Sequence, residues 1–370
     1  MDKVSNSMDR REFLKKSLVG AGSLLVIPKK FTNLVLQQDW PIDADLGRNT
    51  VYSPSALPIR SQPRVDASVI RYLAEDECVP WLREVIGESP IGRPSKTWVE
   101  TNEGYVYGPS LQRVKFVPNT PLTQLPSHGE ESGAWVEVTQ PFVQLELENS
   151  IPQSPWLQNI PSSMWRLYFG QVIWCDAIRT GDDGEIQYHL VEKYGYDKFW
   201  ADGSAFRPLS QEEISPINPE AADKKVLVNV NQQTLSCYEG NNEVFFCQVS
   251  TGIKLDAFGL PDDTYATPSG EHFIWRKSVA FHMMGGASDA GWDIIAVPWT
   301  ALFVGTGVAV HGAFWHNDFG TPKSHGCVNA KPEDAKWIWR WTSPQVSYYP
   351  GDVTINNYQS TKIQVVEPLY

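Results

Sequence analysis

Nowhere in the 370 residues is there a run of about 20 apolar side chains, so no ordinary membrane-spanning helix is expected. A basic surplus is missing too. Against 43 Asp and Glu there are 31 Lys and Arg, a net charge of −12, and that balance excludes the basic footprint by which nucleic acid is held. There is no Cys-x-x-Cys pair, which removes the usual frame of a structural zinc. Convincing helices are also scarce: only Lys331–Trp341 reads as one, with Pro332 in its first turn and Glu333 and Asp334 at its positive end. Cysteine is limited to Cys78, Cys175, Cys237, Cys247 and Cys327, an odd number that fits one free thiol with two pairs around it.

What is present is an ordinary globular balance, 42% hydrophobic and 20% charged, with tryptophan unusually common at 15 residues. A chain of this length is too long for one small core, so two or three domains are expected. At the start, Asp9-Arg-Arg-Glu-Phe-Leu-Lys15 is similar to a twin-arginine export motif, and the ten apolar residues Leu18–Ile27 suit a signal core rather than a membrane span. Lys29 and Lys30 stand where a small-x-small cleavage site would be, and no lipobox cysteine follows. Residues 1–30 are therefore expected to be an export signal. That places the protein in the cell envelope, where disulfides are permitted.

Residues 31–62 hold Asp, Pro, Asn and Ser without apolar periodicity and read as a linker. From 63 to 120, short strand candidates such as Val69–Leu73 and Thr97–Thr101 are split by turns, as in a small barrel. Residues 163–212 repeat that plan around the turn Gly181-Asp-Asp-Gly184, with 121–162 as a bridging segment. Both stretches are similar to bacterial SH3-like modules. Exposed aromatics in such modules are a candidate glycan or peptide surface, although most of these Trp and Tyr side chains are expected in the core. Pro208, Pro216 and Pro219 mark a second linker, 213–223. Residues 224–357 then alternate strand and turn, including a hairpin at Gly240-Asn-Asn242. It would set Cys237 opposite Cys247 within disulfide reach. Residues 358–370 are an unassigned extension. The fold class expected is mainly β, with one short helix following Cys327.

Chemistry concentrates in His311–Asn329. Cys327 is a candidate nucleophile, His311 and His325 are candidate bases, and Gly326 lets backbone N–H groups approach a substrate oxygen. A buried inert thiol or a His–Cys metal site are the competing readings. Five of the seven histidines fall between 272 and 325. Trp315 and Phe319 are placed to wall a groove, with His316 between them in a stretch that looks flexible. Ser324 is either a partner for an imidazole or a plain turn residue, and Asn329 is expected to brace the loop.

The core Ser324-His-Gly-Cys-Val-Asn329, preceded by His311, resembles the YkuD-type L,D-transpeptidases of bacterial cell walls. Val249-Ser-Thr-Gly252, Thr267-Pro-Ser-Gly270, His282-Met283 and Asp334-Ala335 follow the same family's order. The resemblance covers about residues 224–357 and implies a YkuD-like β-sandwich. It also implies Cys327 as nucleophile, His311 as base oriented by a backbone carbonyl, and His325 as a shaping or assisting group. His282 and His316 would lie near the cleft, and the substrate-binding set would be His282, Trp315, His316 and Asn329. Many members carry Arg where Asn329 stands. No cofactor and no metal are implied. The expected partner is a peptidoglycan stem peptide, cut at the diamino acid with loss of D-alanine and passed to another stem's amine as a 3→3 cross-link. Stem-peptide hydrolysis and a non-catalytic wall-binding role are the alternatives. A monomer is expected.

Overall fold

A computed structural model describes residues 40–50, 57–90, 92–182, 184–192, 196–256, 258–285, 292–356 and 359–367. The export-signal reading of residues 1–30 lies outside them. Among the described residues the chain is mainly β, and Pro41–Tyr370 is one compact unit.

The stretch expected as the first linker contributes two strands, Asp45–Asn49 and Leu57–Arg60. Leu46, Leu57 and Ile59 are buried there, too few apolar residues among Pro and Asp for a period to show. Asp45–Asn49 pairs with Cys78–Pro80 and Leu111–Lys115. A second sheet runs in the order 69–73, 57–60, 105–107, 97–100, 83–86. Between them lies a small core of Ile59, Leu73, Val79, Trp81, Val99, Val106 and Leu111.

The second body is one six-stranded sheet, in the order 146–147, 198–202, 186–191, 172–180, 134–138, 206–208. Its strand order differs from the first body's, and two of its strands come from the segment expected to be a bridge. The 134–138 strand serves two cores at once. Val136 points into its own sheet's core, while Trp135 reaches the C-terminal core and donates its indole N–H to Tyr348 O at 2.7 Å. Gly351, at φ 74°, makes room: a Cβ there would sit 2.3 Å from the Trp135 ring.

The C-terminal body packs two five-stranded sheets around a core that includes Trp299, Trp339 and Trp341. One sheet runs 242–248, 234–239, 224–229, 362–366, 270–273. The other runs 328–330, 309–312, 292–302, 276–285, 352–354. Lys362–Val366, from the unassigned extension, is thus an interior strand, with Ile363 and Val365 buried. The second linker is also ordered. Gln211–Ile214 is a helical turn held by a capping box between Ser210 and Glu213, and Ile214 enters the core. The helix Pro332–Trp341 packs on the 292–302 and 309–312 strands. Its negative end is met by Lys277 Nζ, which donates to Trp339 O and Thr342 O, and by Lys224 Nζ, which donates to Trp341 O. Burial lowers the Lys277 amine well below its ordinary range.

The hairpin forms, but its register departs from expectation. A bulge between Cys237 and Tyr238 sets Cys237 opposite Phe245 and Cys247 opposite Leu235. The two thiols are diagonal neighbours on one buried face, and all five cysteines are free. Cys78, Cys175, Cys237 and Cys247 are buried, with thiols pushed up by burial, whereas Cys327 is half-buried. A thiol-specific reagent should therefore label one cysteine in the native protein and five after unfolding without reductant. Fewer than five would reveal a disulfide, and a native label elsewhere would contradict this packing.

Candidate active site

Two adjacent parallel strands build the site. Ala309–Gly312 pairs with Val328–Ala330 so that His311 stands beside Asn329. Cys327 immediately precedes the second of these strands, at the end of the 324–326 turn. The His311 ring is buried, and its Nδ1 lies 3.2 Å from Gly312 O. A carbonyl only accepts, so Nδ1 carries the proton and Nε2 keeps its lone pair. Burial lowers the His311 pKa to about 4. Burial pushes the Cys327 thiol up to about 11, opposed by the Ala309 amide. The resting pair is a neutral thiol beside a neutral imidazole. Sγ lies 3.9 Å from Gly307 O.

Distant sequence segments meet under this pair. Asn329 N donates to Ser250 O at 2.9 Å, and Ser250 N donates to Asn329 O at 2.8 Å. Gly252 crosses the 265–267 backbone so closely that a Cβ would sit 1.9 Å from Tyr265 O. The hydroxyl of Thr267 accepts from Gly252 N and donates to Gly326 O. Thr267 belongs to a segment singled out in the sequence, but nothing there indicated that its hydroxyl supports the nucleophile loop. Ser324 closes the loop on itself: its Oγ accepts from Gly326 N at 3.1 Å and donates to Cys327 O at 2.5 Å. It is a turn residue rather than an imidazole partner. Gly326, at φ 122°, supplies the backbone shape. Its amide is occupied by Ser324 rather than left open for a substrate oxygen.

The remaining expected residues fall in distinct places. His325 is exposed, with its ring between Trp292, stacked at 4.5 Å, and Tyr265, edge-on at 4.4 Å. Trp315 lies 5.6 Å from the His311 ring. His316 is buried behind it. Its Nδ1 accepts from Asp318 N, and its Nε2 is 3.0 Å from the Asn329 amide. Burial drives its pKa down to about 3, so it stays neutral. One atom of that amide, Asn329 Oδ1, is buried with no hydrogen-bond partner. The 314–320 stretch, expected to be flexible, is pinned instead. Asn317 N donates to Pro109 O, and buried Asp318 pairs with Lys323 at 2.8 Å and Arg93 at 3.3 Å.

His282 is held by two carboxylates, Glu192 at 2.8 Å and Asp293 at 2.5 Å, and so bridges the second body to the C-terminal body. Burial alone would lower its pKa, but the bonds from Asp293 and Glu192 outweigh it and carry the pKa up to about 10, from an ordinary 6.5. A group raised in the folded state contributes stability that is complete below its unfolded pKa and is lost as pH rises through the folded one. His282→Gln should therefore lower the melting temperature most below pH 6.5, with the difference from the native protein vanishing above pH 10. A constant difference across that range would show that the imidazolium contributes nothing.

Residues 223–361 match the family model of the YkuD L,D-transpeptidase catalytic domain. No curated protein matches the chain. Similar solved structures include an Enterococcus faecium L,D-transpeptidase mutant, at 18% identity over 43% of this chain and 56% of that one, TM-score 0.30. Another is an L,D-transpeptidase from Mycobacterium smegmatis, at 16% identity over 51% of this chain and 81% of that one, TM-score 0.31. A third, from Stackebrandtia nassauensis, shares 21% identity over 42% of this chain and 60% of that one, TM-score 0.26. The chain spans 56% of the length of the first of these.

Proposed function

We propose that the chain is a peptidoglycan L,D-transpeptidase with Cys327 as nucleophile. The observation that carries this reading is a half-buried thiol at the start of Val328–Ala330, the strand that pairs in parallel with the strand of a buried imidazole whose Nδ1 faces a carbonyl, leaving Nε2 to accept a proton. The match of residues 223–361 supports the same reaction class.

In the first step His311 Nε2 takes the thiol proton as sulfur attacks the carbonyl carbon of the diamino acid's L centre. Both groups rest neutral, so proton transfer accompanies attack rather than preceding it. The oxyanion that forms needs a donor, and the Cys327 amide is the candidate left once Gly326 N–H is committed to Ser324. Collapse breaks the C–N bond. The imidazolium returns its proton to the departing amine, D-alanine leaves, and a thioester remains on Cys327. The amine of a second stem then attacks the thioester carbonyl, loses its proton to His311, and releases the thiol with a 3→3 cross-link formed. The chemistry calls for no cofactor. Trp292, Tyr265 and His325 form an aromatic rim suited to the stem's backbone.

Mass spectrometry of purified stem tetrapeptides incubated with the protein tests this. Loss of D-alanine with formation of a cross-linked dimer is expected. Loss of D-alanine without dimer, in the presence of acceptor stem, would replace transpeptidation by hydrolysis. The depressed His311 pKa adds a pH prediction. The base stays unprotonated well below the usual imidazole range, so kcat/KM should hold from pH 7 down to pH 5 and fall only near 4. An acid limb at the ordinary 6.5 would mean that this ring is solvated in the working enzyme.

A further inference from the structure

We infer that Arg48, in the first small β body, is a positioning residue for the His311 imidazole. This rests on the reading of Cys327 and His311 as the reacting pair.

Arg48 is fully buried, far in sequence from the site. Its Nη1 donates to Asp76 Oδ1 at 2.5 Å, and its Nε and Nη2 both donate to Gln112 Oε1, at 3.0 and 2.7 Å. The second body joins through Asp76, whose other oxygen accepts from Arg166 Nη1 at 2.7 Å and Tyr168 Oη at 3.1 Å. The guanidinium lies 4.1 Å above the Tyr168 ring. From this junction Arg48 Nη2 reaches Phe314 O at 3.3 Å, and the Tyr168 ring stacks on the Phe314 ring at 5.9 Å. Phe314 is three residues after His311. Its ring packs edge-on against Trp315 at 5.0 Å, and Trp315 lies against the His311 imidazole at 5.6 Å. Three bodies therefore converge on the segment between base and nucleophile.

The arrangement is costly unless complete. A buried guanidinium and carboxylate are tolerable only with nearly every donor and acceptor satisfied. Such a network holds one geometry, since any displacement strands a charge. Further along, the same segment is held by Asn317 N to Pro109 O and by Asp318 to Lys323 and Arg93. On its outer side it lines a cavity of about 710 Å3 through His316, Asn317, Phe319 and Gly320. The upstream bodies thus act on the reaction by holding the Phe314–Trp315 backbone under the imidazole. A displacement of about 1 Å in a reacting group can cost on the order of 100-fold in rate.

The test is a double-mutant cycle on the full chain, Arg48→Met with His311→Ala. It reads two quantities: kcat and KM on a stem tetrapeptide, and the rate of Cys327 alkylation by iodoacetamide. Arg48→Met should lower kcat by roughly tenfold to 100-fold, with KM unchanged within about twofold. It should slow alkylation when His311 is present and have no further effect in the His311→Ala background. Additive losses, or an unchanged kcat in folded Arg48→Met, would overturn the inference. Should Arg48→Met fail to fold, Phe314→Leu removes the ring between Tyr168 and Trp315 at smaller cost, and the same non-additivity is expected of it. A native protein that does not cross-link stems would overturn the functional reading alone, because the alkylation cycle needs no stem peptide.

Discussion

Cys327→Ala should reduce stem-peptide turnover to background, a loss on the order of 10⁴-fold or more, as for other nucleophiles whose base and oxyanion donors remain. The fold should survive. Cys327 is half-buried, its Sγ meets only the Gly307 carbonyl at 3.9 Å and the Ala309 amide among the described residues, and the side chain lost is small, so the melting temperature should change little. The native protein should also take up one carbapenem per chain, because the strained ring carbonyl can be attacked as the stem carbonyl is. Intact-protein mass spectrometry should locate that adduct on Cys327 and find none in the alanine variant. Residual turnover in Cys327→Ala, or an adduct on one of the four buried thiols, would remove the residue on which the proposed function stands.

A chain ending after Thr361 should not fold, although the family match itself ends there. Residues 362–366 pair in parallel with 224–229 on one side and antiparallel with 270–273 on the other. Without them both neighbours lose their ladders and the core loses Ile363 and Val365. Each of those side chains stabilises by about 1.5–3 kcal/mol, so the pair alone is comparable to a large part of a typical 5–15 kcal/mol total. Circular dichroism and near-ultraviolet spectra should show a loss of packed structure, and a chain ending at Glu367 should retain it. Ile363→Asn offers a milder version, with a large fall in melting temperature. A truncated protein that still takes up one thiol label, on Cys327, and melts cooperatively would show the strand to be dispensable.

The strand was not legible because its evidence is non-local. Lys362-Ile-Gln-Val-Val366 alternates for only five residues, and its parallel partner lies more than 130 residues earlier. The strands joined by tight turns were legible, since hairpin and alternation are local signals: 97–100 with 105–107, and 234–239 with 242–248. Even there the turn is tighter than the loop around 242 would give: Glu239 pairs with Asn242, which takes Cys237 off Cys247, and the bulge shifts it only from position 244 to 245. At the site, residue types told the chemistry and little of the support. His311 and Asn329 stand side by side on adjacent strands, and Cys327 directly precedes the second of them. His282, placed near the cleft by resemblance, is held by Glu192 and Asp293. Arg48 carried no signal, because a lone arginine among Pro and Asn looks like solvent-facing linker until Asp76, Gln112 and Arg166 close around it.

The same late strand governs when the C-terminal body can close. A ribosome makes the chain from its N-terminus, so every segment that 362–366 joins has emerged before it does. Until then the 224–229 strand offers an open parallel edge, and the 270–273 strand has no partner in this sheet. The nascent chain must hold its C-terminal body incomplete through most of its own synthesis. An unpaired edge of this kind is open to pairing with another chain, so the interval before 362–366 emerges is the one in which the chain is exposed to aggregation.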